Sequence, residues 1–218
     1  MGVDLAQARA AAQGLLAGAP EGEELSPLTA ALVRLGVAAA TTTLDLNGMQ
    51  AASRDALDLG ADADQVAETV VLVSALGMHT LHEGARQVAE VLRERGDERI
   101  TAPLDAEQRA LRASYVGDDA YWQRLEAELP GFLDALLRLA PEAFEAFFAY
   151  CAVPWRTRHL DALTKELIYV AVDATPTHRY LPGLRLHVAN ALRLGASATQ
   201  LRAVLELAAA SGEHAGIA

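Results

Sequence analysis

The sequence predicts an all-α fold in which one helical unit occurs twice, and three observations lead to this prediction. Apolar residues recur at three- and four-residue spacing along most of the 218-residue chain, between residues that begin and end helices. No segment shows the alternation of β-branched and polar residues that is typical of a strand. The third observation is an internal repeat, and it predicts how the chain is organised.

The repeat is visible when the chain is shifted by 135 residues against itself. The segment from Leu28, LTAALVRLGVAAATTTLDLNGMQAASRDALDLGADADQ, then aligns with LTKELIYVAVDATPTHRYLPGLRLHVANALRLGASATQ from Leu163. Between Leu28 and His79 there are 19 identities in 52 aligned positions, without a gap. We therefore predict a first copy over 1–100, a helical connector over 101–160 and a second copy over 161–218. The second copy is expected to be truncated, because the chain ends before a fourth helix.

Each copy is predicted to contain three helices, because residues that cap or end helices recur at equivalent positions. The pairs are Ser26 and Asp161 before the first helix, Gly60 and Gly195 after the second, and Asp62 and Ser197 before the third. The first copy continues into an amphipathic fourth helix over about 79–95. The polar segment GDERITAPLDAEQ is expected to be a loop. Beyond it, AEQRALRASYV and DAYWQRLEAEL predict short helices, and PGFLDALLRLAPEAFEAFFAYCAV predicts two more, separated by Pro141.

Composition and charge exclude several function classes. A formal net charge of −11 repels phosphate backbones, so we expect no nucleic-acid partner. Charged residues interrupt every apolar run before the roughly 20 residues that a membrane span needs, and Asp4 lies where a secretory signal has positive charge. A soluble, cytoplasmic protein is therefore expected. The single cysteine, Cys151, allows no disulfide within the chain and is interpreted as a small buried apolar residue.

Proton-handling side chains are confined to the second copy. Each of five such residues aligns with a different residue of the first copy: Glu166 with Ala31, Asp173 with Ala38, His178 with Thr43, Tyr180 with Asp45, and His187 with Ala52. Apolar residues such as Leu28 and Leu32, by contrast, recur as Leu163 and Leu167. Packing residues should recur in a duplicated scaffold, whereas the residues of a single site need not. We therefore predict that the second copy carries an active site and that the first is scaffold.

The spacing of these groups predicts how they meet. Glu166 and Asp173 are seven residues apart and share one face of a helix. The proline of TPTHRY disfavours helix before it, so a turn should bring His178 and Tyr180 to the start of the next helix, with His187 about two turns further on. Imidazoles with a pKa near about 6.5 both accept and donate protons at neutral pH. This suits acid–base catalysis without a cofactor.

Site roles follow from this placement. We predict catalytic roles for His187, Glu166, His178 and Tyr180, and substrate binding by Arg185, Asp173 and His214. Either Glu166 or Asp173 is expected to orient His187 or to relay its protons. Helix amides and Arg185 together suit a carboxylate substrate. No metal site is expected, because His79 and His82 have no cysteine or further histidine close in the sequence. Each residue alone has a structural interpretation as well, such as a hydrogen-bonded core histidine or a packed tyrosine.

At these residues the sequence resembles the carboxymuconolactone decarboxylase family, which shares its helical fold with the alkyl hydroperoxidase D-like proteins. The resemblance rests on LTKELIYVAVDA, HVANALRLGAS and SGEH in the second copy, and on LTAALVRLGVAAA and LGMHTLHEG in the first. It implies a cofactor-independent lyase that decarboxylates a small carboxylated lactone or β-keto acid, within a homo-oligomer such as a trimer or a dimer. The alternatives are an isomerase, cyclase or hydrolase on the same scaffold, and a non-catalytic ligand-binding protein.

The sequence also departs from these relatives. Hydroperoxidases carry a CxxC motif with a histidine four residues after its second cysteine, and counting back from His187 places Tyr180 and Gly183 at the cysteine positions. The resemblance therefore implies no thiol peroxidase activity, which needs thiolates. The family's glutamate lies twelve residues before the first cysteine position, which is Ile168 here. Glu166 is two residues further away, so its equivalence to that glutamate is left open.

Overall fold

The computed structural model of the chain describes residues 2–214 and 216–217. Met1, Ala215 and Ala218, which fall within the two predicted copies, lie outside the described residues. The described residues form helices and contain no strand, so the predicted all-α class is confirmed. Among the described helices, none combines the length and the apolar composition that a bilayer crossing requires.

The helices of the described residues are α1 (Leu5–Leu15), α2 (Pro27–Ala39), α3 (Leu46–Asp58), α4 (Ala63–Ser74), α5 (His79–Glu94), α6 (Glu98–Thr101), α7 (Ala106–Tyr115), α8 (Ala120–Glu128), α9 (Phe132–Leu139), α10 (Pro141–Cys151), α11 (Val153–Thr157), α12 (Ala162–Ala174), α13 (Leu181–Arg193) and α14 (Ala198–Ala209). They belong to two compact units. Unit 1 comprises Met1–Leu76 and Thr157–Ala218, and unit 2 comprises Gly77–Arg156.

Unit 1 contains two helix triplets of matching length. The helices α2, α3 and α4 have 13, 13 and 12 residues, and α12, α13 and α14 have the same lengths in the same order. Each helix of the second triplet begins 135 residues after its counterpart. The division of the chain into two copies and a connector stays a prediction from the sequence.

The predicted caps set the ends of these helices. At four helix starts the predicted side chain accepts a hydrogen bond from the backbone N–H three residues later: Ser26, Asp62, Asp161 and Ser197. Gly60 and Gly195 follow α3 and α13 with φ angles of 98° and 95°, in the left-handed region that glycine adopts without strain. One boundary prediction was wrong. The segment expected to be a loop contains the short helix α6, whose first turn is capped by the Asp97 side chain.

The core of unit 1 centres on α12, which buries nine of its 13 residues. Buried apolar side chains come from both triplets and include Leu32, Leu72, Leu167, Ile168, Leu201 and Val204. The helices α2 and α12 approach closely at Gly36, where a methyl group would lie 2.6 Å from Ile168 Cγ2. Because α12 is so deeply buried, the charged residues on it are withdrawn from water.

Unit 2 has a separate, aromatic core. Phe132, Phe144, Phe147 and Phe148 are buried and meet edge to face, with ring centroids 4.8–5.4 Å apart. His82 packs within the same unit, with its ring centroid 4.5 Å from that of Phe132. The single cysteine, Cys151, ends α10, where burial raises the pKa of its thiol to about 12. A thiol with that pKa is protonated at neutral pH, in keeping with its interpretation as a packing residue.

A buried ion pair joins the two triplets and was not predicted from the sequence. The Lys165 ammonium lies 2.7 Å from Glu68 Oε1, and both side chains are only 2% exposed. The second carboxylate oxygen of Glu68 accepts the backbone N–H of His159 at 2.7 Å. Burial raises the pKa of Glu68, but the hydrogen bonds from Lys165 and His159 outweigh it and hold the pKa below its ordinary value. The pair thus attaches α4 to the start of α12.

Breaking this pair is expected to destabilise the fold. Lys165→Ala places at position 165 the residue found at the equivalent position 30, but it leaves the Glu68 carboxylate buried without its cation. Such a loss costs about 3–5 kcal/mol in the free energy of unfolding. The contribution should vanish as the pH falls through the lowered pKa of Glu68, because protonation removes the charge that Lys165 stabilises.

Urea unfolding followed by circular dichroism measures this change, and Lys165→Met combined with Glu68→Leu is the matched control. Because replacing both charges by apolar groups removes the desolvation cost as well, the double variant should recover most of the lost stability. A Lys165→Ala variant within about 0.5 kcal/mol of the wild type would show that the pair contributes nothing.

Candidate active site

The helices α12 and α13 bring Glu166 and His187 into direct contact. His187 Nδ1 lies 2.7 Å from Glu166 Oε2, and the two side chains are 9% and 3% exposed. An ionised carboxylate only accepts hydrogen bonds, so Nδ1 carries a proton and donates it to Glu166. This leaves Nε2 as the nitrogen of His187 that exchanges protons with its surroundings.

Asn190 holds the other oxygen of the Glu166 carboxylate. Its side-chain amide donates to Glu166 Oε1 at 3.0 Å, and Arg193 in turn donates to the carbonyl oxygen of that amide. Glu166 therefore accepts one hydrogen bond at each oxygen and is fixed in orientation. Asn190 was not predicted from the sequence. The available signal was its position three residues after His187, on the same face of α13.

Tyr169 fixes the plane of the His187 ring. The two rings are stacked, with centroids 4.5 Å apart and planes inclined by 21°. The Tyr169 hydroxyl donates to the backbone carbonyl of Leu72 at 3.3 Å, which ties the tyrosine to α4. Tyr169 was also missed in the sequence, although it lies three residues after Glu166 on α12.

Asp173 is buried beside two histidines. Its side chain is 1% exposed, with Oδ2 lying 4.0 Å from His187 Nε2 and Oδ1 lying 3.7 Å from His178 Nε2. The carboxylate also packs against the first turn of α13, where a methyl group on Gly183 would collide with it. The predicted role of Asp173 in substrate binding stays a prediction. The observed position places it within the histidine cluster.

Burial and charge move the pKa values of this cluster in different directions. Burial lowers the pKa of His187, but the charge and hydrogen bond of Glu166, with a smaller effect of Asp173, outweigh it and raise the pKa above its ordinary value. Burial lowers the pKa of His178 to about 4. Burial also raises the pKa of Asp173 to about 7, opposed by the charge of His187 and reinforced by that of Glu166. At neutral pH, His178 is therefore neutral, and Asp173 exists in both protonation states.

The turn between α12 and α13 positions His178 and Tyr180 as the sequence predicts. The backbone N–H of Tyr180 donates to the carbonyl of Asp173 at 2.9 Å, and the Tyr180 ring centroid lies 5.7 Å from that of His178. Arg179, between them, has a left-handed φ of 53°, and the equivalent Leu44 has a φ of 43°. Because the left-handed backbone conformation occurs at the equivalent residue of the first triplet, it belongs to the geometry of this turn and is not specific to the site.

Arg185 and His214 are the other two residues that the sequence assigns to substrate binding. Arg185 is half-buried on α13, two residues before His187, and such a spacing separates side chains by about 200° around a helix. His214 is exposed after α14, and its Nδ1 accepts the backbone N–H of Gly216 at 2.9 Å. Both assignments stay predictions. The residues that the structure brings together are Glu166, Asp173, His178, Tyr180 and His187.

Comparisons with known proteins identify the family of this chain. The model of the carboxymuconolactone decarboxylase family matches residues 141–215, which include Glu166 and His187. A crystal structure from Burkholderia xenovorans LB400, named as a candidate gamma-carboxymuconolactone decarboxylase subunit, is 36% identical with a TM-score of 0.71. The match covers 84% of this chain and 71% of that chain. The chain belongs to the carboxymuconolactone decarboxylase family.

The predicted resemblance is therefore confirmed at the level of the carboxymuconolactone decarboxylase family. No curated protein matches this chain. In this family member, the hydrogen-bonded glutamate and histidine lie on α12 and α13, respectively, within the matched segment. The contact between Glu166 and His187 exists whether or not Glu166 is equivalent to the glutamate of the hydroperoxidases.

Removing the charge of Glu166 is expected to reverse the shift in the pKa of His187. In Glu166→Gln the amide no longer stabilises the imidazolium, so burial should lower the pKa of His187 below its ordinary value. An NMR titration of the histidine ring protons measures this. Glu206→Gln, which changes an exposed glutamate on α14, is the control and should leave the titration unchanged. An unaltered pKa in Glu166→Gln would show that another group holds the proton.

A second prediction concerns the contact between Asp173 and Gly183. Gly183→Ala adds a methyl group that collides with the Asp173 carboxylate and lies 2.9 Å from Tyr180 Cδ1, so we expect a loss of about 1–3 kcal/mol in stability. In an Asp173→Ala background the same change should cost less, because one of the two collisions is gone. Urea unfolding of the four proteins of this double-mutant cycle measures the difference. Equal costs in both backgrounds would contradict the close contact.

Proposed function

We propose that this protein is a cofactor-independent lyase that decarboxylates a small carboxylated lactone or β-keto acid, with His187 as its general acid–base residue. The observation that carries this proposal is the buried hydrogen bond of 2.7 Å between His187 Nδ1 and Glu166 Oε2. A histidine oriented in this way presents one defined nitrogen for proton transfer. Membership of the carboxymuconolactone decarboxylase family supports the choice of reaction.

The proposed reaction follows from the chemistry of such substrates. The bond between the carboxylate carbon and its neighbouring carbon breaks, carbon dioxide leaves, and the electron pair delocalises into the adjoining unsaturated carbonyl system. The carbon left behind then accepts one proton. His187 Nε2 is the proposed donor, because Nδ1 is engaged by Glu166. Burial of the pair excludes water from this step and strengthens the interaction of His187 with Glu166.

The other assigned residues complete the proposal. His178 and Tyr180, on the turn before α13 and at its N-cap, are auxiliary proton donors, and Tyr169 keeps the His187 ring in one plane. Arg185 is the proposed anchor for the substrate carboxylate, since its guanidinium always carries a positive charge. A homo-oligomer, as a trimer or a dimer, is the proposed assembly.

The test is a screen for carbon dioxide release from carboxymuconolactone and small β-keto acids. His187→Ala places at position 187 the residue found at the equivalent position 52, so we expect the fold to be retained. The rate should fall by about 10²–10⁴-fold, because a general acid–base residue contributes that factor. The matched control is His159→Ala, which removes an exposed histidine and should keep the wild-type rate.

The outcomes separate the candidate functions. Carbon dioxide release by the wild type and its loss in His187→Ala support the proposal. An equal rate in both proteins overturns the role of His187. Conversion of a substrate without carbon dioxide release identifies an isomerase, cyclase or hydrolase instead, and binding without conversion identifies a ligand-binding protein.

A further inference from the structure

The two triplets of unit 1 place a carboxylate at the same point from two different residues. In the first triplet, Asp45 is the N-cap of α3, and its Oδ1 accepts the backbone N–H of Gly48 at 3.0 Å. A methyl group on Gly48 would collide with that carboxylate. In the second triplet, a methyl group on the equivalent Gly183 would collide with the carboxylate of Asp173. In the first triplet this carboxylate comes from the N-cap of the second helix, α3. In the second triplet it comes from the last turn of the first helix, α12.

The carboxylates of Asp45 and Asp173 have different surroundings. The position equivalent to Asp45 is Tyr180, and α13 has no side-chain capping hydrogen bond at its start. The position equivalent to Asp173 is Ala38, so the first triplet has no acid on that helix face. Asp45 is half-buried and serves as a cap, whereas Asp173 is 1% exposed and faces two imidazoles. Capping of the second helix does not require a buried acid such as Asp173, because the first triplet caps its second helix with the half-buried Asp45.

Asp173 offers one oxygen to each histidine. Oδ2 lies 4.0 Å from His187 Nε2, which is the nitrogen that Glu166 leaves available. Oδ1 lies 3.7 Å from Nε2 of His178, on the turn that follows α12. Both distances exceed a hydrogen bond, but catalytic hydrogen bonds are often long before a substrate binds and tighten in the complex. The carboxyl group therefore lies between the two imidazoles, with one oxygen nearest each ring.

Glu166 and Asp173 differ in the groups that surround them. Glu166 accepts hydrogen bonds at both oxygens, from His187 and Asn190, and is held as an orienting carboxylate. Asp173 is almost completely buried, and its pKa of about 7 allows the acid and the carboxylate to interconvert near neutrality. His178 is a neutral imidazole at that pH, able to accept a proton at one nitrogen and donate from the other.

We propose that Asp173 relays protons between His178 and His187. In this relay, the proton on Oδ2 of Asp173 passes to His187 Nε2, and Oδ1 accepts a proton from Nε2 of His178. His178 takes its replacement at Nδ1 from solvent, so one proton enters for each proton delivered. Rotation of the carboxyl group and return of His178 to its Nε2–H tautomer, by proton exchange with solvent, restore the starting state. The proposal rests on the proposed function, because it is the decarboxylation step that consumes the proton of His187.

The relay can be tested in the protein without substrate, by measuring how fast the Nε2 proton of His187 exchanges with water. The measurement uses saturation transfer in NMR on protein labelled with ¹⁵N-histidine, at a pH where His187 carries both ring protons. We expect Asp173→Asn and His178→Thr each to slow this exchange by about tenfold or more, because each removes a proton-transfer group. A purely structural role of Asp173 predicts the opposite sign, since a loosened site admits water and speeds exchange.

Matched variants control for folding. Asp173→Ala and His178→Thr introduce the residues of the equivalent positions 38 and 43, and thermal unfolding verifies that each variant is folded. Asp45→Ala removes the carboxylate of the first triplet and should leave the exchange at His187 unchanged. If the Asp173 variants do not fold, His178→Thr and His178→Gln decide the question, because neither threonine nor glutamine transfers protons at neutral pH.

The outcomes are distinct from those of the substrate screen. Slower exchange in the folded variants supports the relay even where no substrate is found, because it is observed in the free protein. Unchanged or faster exchange in Asp173→Asn overturns the relay, even if His187 proves to be catalytic. If Asp173→Asn does not fold, the same result in the His178 variants overturns it. In a protein that does release carbon dioxide, the relay also predicts a larger solvent deuterium isotope effect in Asp173→Asn than in the wild type.

Discussion

The burial of charge on α12 is the constraint on which the rest of unit 1 depends. Lys165, Glu166 and Asp173 are all nearly inaccessible, although removing an ion from water costs several kcal/mol. Two of these groups are compensated from different directions: Glu68 on α4 pairs with Lys165, and α13 supplies His187 to Glu166. The surrounding helices are therefore fixed by polar partners as well as by apolar packing, and the catalytic geometry proposed above follows from this compensation.

The paired triplets explain how such a helix is accommodated. The helix α2 packs against α12 at Gly36, where the lack of a side chain lets Ile168 approach closely. The first triplet carries alanine at the positions equivalent to Glu166, Asp173 and His187, and its helices have the same lengths. The backbone arrangement thus does not need the buried acids. Their presence in only one triplet favours a role in chemistry over a role in folding.

Local features of the fold were predictable, whereas contacts between distant residues were not. The caps at Ser26 and Asp161 depend on neighbours three residues away, so the sequence contains the whole signal. Comparing the two copies also predicted Glu166 and His187, because an acid or an imidazole that replaces an alanine is conspicuous. The pair of Lys165 and Glu68 joins residues 97 positions apart, and only the packing of α4 on α12 reveals it. In the sequence alone, Lys165 and Glu68 have no feature that distinguishes them from exposed charged residues on a helix.

Environment, and not residue type, separates the roles of the two site carboxylates. Both Glu166 and Asp173 are buried on one face of α12, seven residues apart, and the sequence alone treats them as interchangeable partners of His187. The structure gives Glu166 two hydrogen-bond donors, one at each oxygen, which fix its orientation. Asp173 has instead a site in which burial dominates and raises its pKa to about 7. Two carboxyl groups whose environments differ in this way suit different tasks, one as a fixed anion that orients an imidazole and the other as an acid that exchanges its proton.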